Sequence, residues 1–184
     1  MSKISVLMSV YKKENPEYLR ASLESILVQT RTADEILLIE DGPLTQELYQ
    51  VVAEYQKKCD YLHVHAMEQN VQLGRALAKG VELCQYDLIA RMDTDDIAMP
   101  DRLEKEEAYM EAHPEVDVVG GAIREFNDEG TIDRVKNMPK TQEEILEYVK
   151  VRNPLNHMTV MYRKDSILKA GNYKHFPFLE DYSL

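Results

Sequence analysis

Apolar residues in the first half of the chain fall into short unbroken runs, separated by stretches of helical spacing. Ile4 to Val10, Ile36 to Ile39 and Leu88 to Met92 are runs of strand length, and Tyr61 to His65 is a weaker one. Asn15 followed by Pro16 reads as a helix cap with proline at the first helical position, and Leu19, Leu23, Ile26 and Leu27 follow at helical spacing. Thr45 caps a second helix carrying Leu48, Val51, Val52 and Tyr55. Leu73, Ala76, Leu77, Gly80, Val81 and Cys84 form a third stripe. The order is strand, helix, strand, helix, strand, helix, strand. Strands that read as continuous apolar runs, without alternation, are covered by helices on both faces. The pattern therefore predicts an α/β fold with a mainly parallel central sheet.

The second half is less regular. Asp101 with Glu104 predicts a capping-box start for a helix running to about Ala112. Val116 to Gly121 predicts a strand, and Ile123 to Phe126 with Thr131 to Val135 predicts a hairpin around Asp128-Glu129-Gly130. Thr141 and Glu144 form a second capping box, with Ile145, Leu146 and Val149 as the expected buried face. His157 to Tyr162 is expected to be a strand, and Asp165 to Ala170 a short helix stopped by Gly171.

Charge narrows the function. The 184 residues hold 33 acidic and 22 basic side chains, a formal net charge of −11. That balance speaks against nucleic acid, which selects a basic face. It also speaks against a polybasic membrane anchor. No run reaches the ~18 consecutive apolar residues of a membrane span, and the N-terminal run reads as a buried strand rather than a signal peptide. Cys59 and Cys84 have no CxxC spacing, so reduced thiols in a cytoplasmic protein are expected. The length and the absence of a Gly/Ser or Pro-rich linker suggest one domain over 1–184.

In open parallel sheets, ligands bind outside the carboxyl ends of the strands. Three such ends are polar here: Ser9-Val10-Tyr11, Glu40-Asp41, and Asp93-Thr94-Asp95-Asp96. Three carboxylates in four residues repel one another unless a cation or solvent compensates. Mg²⁺ and Mn²⁺ take such oxygens and often share them with phosphates. A solvated acidic loop is the plain alternative. An EF-hand beginning at Asp93 is excluded, because Ala98 stands where the turn glycine is needed and Ile97 at a ligand position. GxGxxG after a strand, GxxxxGK[ST] and GxSxG are all absent, which disfavours dinucleotide oxidoreductases, P-loop ATPases and the commonest hydrolase elbow.

The segments ISVLMSVYKKENPEYLRASLESILVQT, EILLIEDGP, NVQLGRALAKGVELCQYDLIARMDTDDIAMPDRLEKE, NPLNHMTVMYRKDSILKAGNY and FLEDYSL together resemble family 2 glycosyltransferases. The family's fold is the GT-A fold, a Rossmann-like α/β/α sandwich. The resemblance implies a nucleotide-sugar donor, with Ser9, Tyr11 and Asp41 at the base of a UDP-sugar. It implies that Asp93 faces the ribose or base side of the donor. Asp95, assisted by Asp96, would hold Mn²⁺ or Mg²⁺ at the diphosphate. Asp181 of the terminal ED motif would be the general base, and Arg75 or Arg91 would neutralise phosphate, Arg91 reading also as a brace for the acidic cluster. His157 would lie on the acceptor side or serve as a polar core group. The chain departs from the family pattern at Lys12, Pro43 and near Ala78. The activity implied is inverting, metal-dependent transfer of a hexose to a glycan or lipid-linked acceptor, with peripheral contact at the inner membrane face. The resemblance also implies chain beyond the ED motif, so a domain cut short at its C-terminus is expected. The alternative is a module that binds nucleotide-sugar without turnover. A sugar-phosphate nucleotidyltransferase is disfavoured by the missing glycine- and arginine-containing loop after the first strand.

Overall fold

The computed structural model describes residues 2–127 and 132–174. Four parallel strands, β1 (Ile4–Val10), β2 (Glu35–Glu40), β3 (Leu62–Ala66) and β4 (Leu88–Asp93), form the sheet together with β8 (Met161–Arg163) and β5 (Val118–Val119). Their order is β3-β2-β1-β4-β8-β5, and β8 runs antiparallel to both its neighbours. The chain winds outward from β1 to β3 and then crosses to β4 on the other side of β1. That reversal makes the gap between the carboxyl ends of β1 and β4 a topological switch point, where such sheets bind ligands.

Alternating residues of each strand face opposite layers. On one face, Ile4, Val6, Met8 and Val10 of β1 pack with Leu19, Leu23 and Ile26 of α1 (Pro16–Leu27). Leu48, Val51, Val52 and Tyr55 of α2 (Gln46–Lys58) and Leu103 and Met110 of α4 (Arg102–Ala112) complete that layer. On the other face, Leu7, Leu37, Ile39 and Ile89 pack with Ala76, Leu77 and Val81 of α3 (Leu73–Leu83) and with Ile167 of α6 (Lys164–Ala170). Gly80 lets α3 lie close on β1: a Cβ there would come 2.3 Å from Leu7 Cδ1. The expected α/β/α layering and mainly parallel sheet are present, and Cys59 and Cys84 are free and buried.

Several local expectations change. The Asp101 side chain makes no cap hydrogen bond; it pairs with Lys105, and Thr30 Oγ1 donates to Glu104. The strand expected over Val116 to Gly121 shrinks to two residues. His157–Thr159 is a 3-10 turn leading into β8, because Thr159 Oγ1 and the Asn156 side chain bond the Gly121 carbonyl in place of a sheet ladder. The hairpin strands are β6 (Ile123–Phe126) and β7 (Asp133–Lys136). In α5 (Gln142–Tyr148) the capping box forms, yet no residue of the helix is buried, and Leu146 and Val149 are exposed.

A polar stripe that runs along α1 and just past its end reaches the loop after β4. Ser22 Oγ donates to the Asp93 carbonyl (2.7 Å). Ser25 Oγ accepts from Ala98 N (3.0 Å). Gln29 Nε2 donates to the Met99 carbonyl (2.8 Å), and its Oε1 accepts from Leu103 N (3.0 Å). All three side chains are buried. Gln29→Leu conserves volume but strands these two backbone groups, so it is expected to destabilise the fold by about 2–4 kcal/mol in urea unfolding. A loss below about 0.5 kcal/mol would show that the groups find other partners.

Candidate active site

Strand register sets the site. Ser9 of β1 lies beside Asp93 of β4 on one side and Ile39 of β2 on the other. Two strand spacings, about 10 Å, therefore separate the Asp93 and Ile39 backbones. Beyond the strand ends lie Tyr11, half exposed, and Asp41, whose backbone N–H donates to the Val10 carbonyl (2.8 Å).

Asp41 is buried and already engaged. Asn70 Nδ2 donates to its Oδ2 (2.8 Å) and Val71 N to its Oδ1 (2.6 Å). Burial raises its pKa, against the lowering effect of backbone N–H groups from Val71 and Gln72. Gly42 follows at φ +84, and a Cβ there would lie 2.5 Å from Asn70 N, so the turns after β2 and β3 are closed against one another. Asp41 thus ties two loops together while keeping part of its acceptor capacity.

The acidic cluster sits at the end of β4. Asp93, Asp95 and Asp96 each offer a carboxylate oxygen, all within 4.8 Å of one another. Burial first, then the charges of Asp93 and Glu14, raise the Asp95 pKa. Burial, Asp93 and Asp95 push Asp96 up to about 6. Hard oxygen donors, close spacing and repulsion that nearby arginines offset only in part are what a Mg²⁺- or Mn²⁺-sized cation would use, so the residues fit such an ion. Thr94 is buried, and its Oγ1 donates to Glu14 Oε2 (2.6 Å) across the β1–β4 crevice.

Beneath the cluster, Arg91 is 1% exposed and its Nη1 lies 2.5 Å from Asp93 Oδ1. This places Arg91 as the brace rather than at a surface phosphate. His157 is half-buried beside it, with Nε2 2.8 Å from the Tyr173 hydroxyl. Burial and the Arg91 charge drive the His157 pKa down to about 2, so its imidazole is neutral. The structure places His157 against this buried arginine and tyrosine. Arg75 is exposed in the first turn of α3, with no ion pair to a described residue. Asp181 lies outside the described residues.

Ser9, Tyr11, Asp93, Asp95 and Asp96 are thus gathered about the ends of β1 and β4, with Asp41 across β1. Sequence reasoning missed Glu14, Asn70, Arg102 and the α1 polar stripe. Arg102 Nη2 donates to the Arg91 carbonyl (2.7 Å), and its Nη1 contacts Met92 Sδ (3.3 Å). The stripe had a legible signal, since Ser22, Ser25 and Gln29 recur at i, i+3 and i+7 beside the apolar face. Glu14, in a charged loop, had none.

The family model for glycosyl transferase family 2 matches residues 5–173. The chain is 44% identical over 180 residues to the amylovoran biosynthesis glycosyltransferase AmsE of Erwinia amylovora, covering 98% of this chain and 67% of that protein. It is 35% identical over 188 residues to the UDP-Gal:alpha-D-GlcNAc-diphosphoundecaprenol beta-1,3-galactosyltransferase of Escherichia coli, covering 99% of this chain and 66% of that protein. The crystal structure of S. aureus TarS 1-349 in complex with UDP is similar with a TM-score of 0.75 at 19% identity, covering 98% of this chain and 53% of that one. The chain spans about two thirds of the length of these curated relatives and about half of the TarS structure. With its α/β layers and mostly parallel sheet of GT-A type, the chain belongs to glycosyl transferase family 2.

Proposed function

We propose that this domain transfers a hexose from a UDP-sugar to a hydroxyl of a glycan or lipid-linked acceptor in polysaccharide biosynthesis, with inversion and with a divalent cation. The observation that carries the reading is the close triad of Asp93, Asp95 and Asp96 at the switch point between β1 and β4. The names of the two curated relatives, one an amylovoran biosynthesis enzyme and one using UDP-Gal and a diphosphoundecaprenol acceptor, support the donor and acceptor classes. No helix among the described residues is long and apolar enough to cross a membrane, and a cytoplasmic protein visiting the inner membrane face fits that acceptor.

In this reading Ser9, Tyr11 and the remaining acceptor capacity of Asp41 receive the base, and Asp93 orients the ribose. Asp95 and Asp96 would hold Mn²⁺ or Mg²⁺, which supplies charge neutralisation for the departing diphosphate. Arg75, exposed and unpaired with any described residue, is the available guanidinium for phosphate. His157, neutral and bonded to Tyr173, acts from the floor of the site. The base must lie opposite the leaving group, so it comes from outside the acidic cluster. Asp181, assigned through the family resemblance, takes the acceptor proton as the oxygen attacks the anomeric carbon.

Asp95→Ala is expected to remove the Mn²⁺-dependent part of UDP affinity by calorimetry, leaving only what is measured with a chelator. Unchanged affinity in Mn²⁺ would refute the metal assignment.

The pH response follows from the raised carboxyl groups. Below about 6 a proton occupies Asp96, and a cation must displace it. Mn²⁺ affinity of the free protein, read by electron paramagnetic resonance, is expected to be level above about pH 7 and to fall as the pH drops through 6. A flat profile down to about pH 5 would place the ion elsewhere.

Asp181→Asn is expected to leave UDP-sugar affinity near wild type and to lower transfer at least ~100-fold. Retained transfer would move the base to Glu180 or beyond this chain. UDP binding with no transfer by the unaltered 184 residues would favour a donor-binding module.

A further inference from the structure

We infer that Arg91 is a positioning residue that commits Asp93 to the nucleoside and withholds it from the cation. The inference rests on the donor-site reading above. It starts from a two-residue spacing: Arg91 and Asp93 share one face of β4, so the guanidinium lies directly behind the carboxylate. Nη1 sits 2.5 Å from Asp93 Oδ1, and Asp93 is the only carboxylate paired with Arg91 among the described residues. Arg91 Nε has no hydrogen-bond partner there. The surroundings are Tyr162, Tyr173 and a neutral His157, which bring no competing negative charge.

A buried arginine paired with one carboxylate is weak evidence for stability, because well-packed apolar residues of similar volume replace such pairs with little loss. Its value lies in geometry. An oxygen held against a guanidinium is not free to ligate a metal, and the fixed positive charge behind Asp93 repels a cation at that corner of the triad. Asp93 Oδ2 makes no hydrogen bond to a described residue. The opposite face is clamped as well: Arg102 holds the Arg91 carbonyl, and Ser22 holds the Asp93 carbonyl. The backbone at the end of β4 is thereby fixed by α1 and α4, and the three aspartates divide into one oriented for substrate and two left for the ion.

This division makes a prediction of opposite signs. In Arg91→Met, Asp93 is released to join the triad, so Mn²⁺ affinity measured without nucleotide rises, by roughly 3–10-fold for the loss of one nearby positive charge. Uridine affinity, measured calorimetrically with a chelator present, falls severalfold because the carboxylate is no longer aimed. A merely structural role for Arg91 would lower both affinities together with the melting temperature. Arg91→Gln removes the charge but keeps one amide donor, and it carries the same two measurements should the methionine variant fail to fold; the same signs, with smaller amplitude, are expected. Mn²⁺ affinity that falls or stays level, or uridine affinity that stays level, in a folded variant overturns the inference while leaving the donor site standing. Failure of the unaltered chain to bind uridine or UDP overturns the donor-site reading, and the inference with it.

Discussion

Like-charge repulsion at the end of β4 is the constraint around which the site is organised. Burial first, and then mutual repulsion, make three carboxylates within 4.8 Å costly to ionise in the fold, and the raised Asp95 and Asp96 pKa values record that cost. A carboxyl whose pKa is higher folded than unfolded takes stability away as the pH rises through that interval, from about 4 to 6 for Asp96. The fold sustains this by anchoring the loop elsewhere. Ser22 and Ser25 tie it to α1 and Gln29 to the turn after α1, Arg102 ties it to α4, and Arg91 balances one of the three charges from below.

Topology explains why the crevice opens there. The chain leaves β1 in one direction and returns on the other side of it, so the connections after β1 and β4 run toward opposite edges of the sheet. Only the Thr94–Glu14 hydrogen bond is seen to join the two loops across this gap among the described residues. On the other side of β1, Asp41 and Asn70 knit the turns after β2 and β3 together. The two ends of the site thus differ in character. The Asp41 end is closed by backbone hydrogen bonds and a glycine turn, while the Asp95 end is exposed and electrostatically strained.

The same contrast separates α5 from the other helices. Its capping box is complete, which local sequence suffices to build, yet none of its residues is buried. Capping satisfies backbone donors within one turn and needs no partner element. Burial needs a second surface, and amphipathic spacing alone does not supply one.

Residue patterning by itself determined the order of strands and helices in the first half, the mainly parallel sheet, and the placing of Ser9, Asp41 and the DTDD run at strand ends, while the strand order made those ends neighbours. The first three follow from periods of two and 3.6 residues and from continuous apolar runs, all of which are local properties. The tertiary structure alone decided what holds those residues. Ser22 meets the Asp93 carbonyl 71 residues away, and Asn70 meets Asp41 across 29. It also decided that Arg91 faces inward onto Asp93, and that His157 is a neutral ring bonded to Tyr173. Hydrogen bonds and ion pairs between distant segments depend on which faces the sheet brings together. A polar side chain carries no mark in sequence of the partner it will find, so the site's chemistry was legible while the framework that orients it was not.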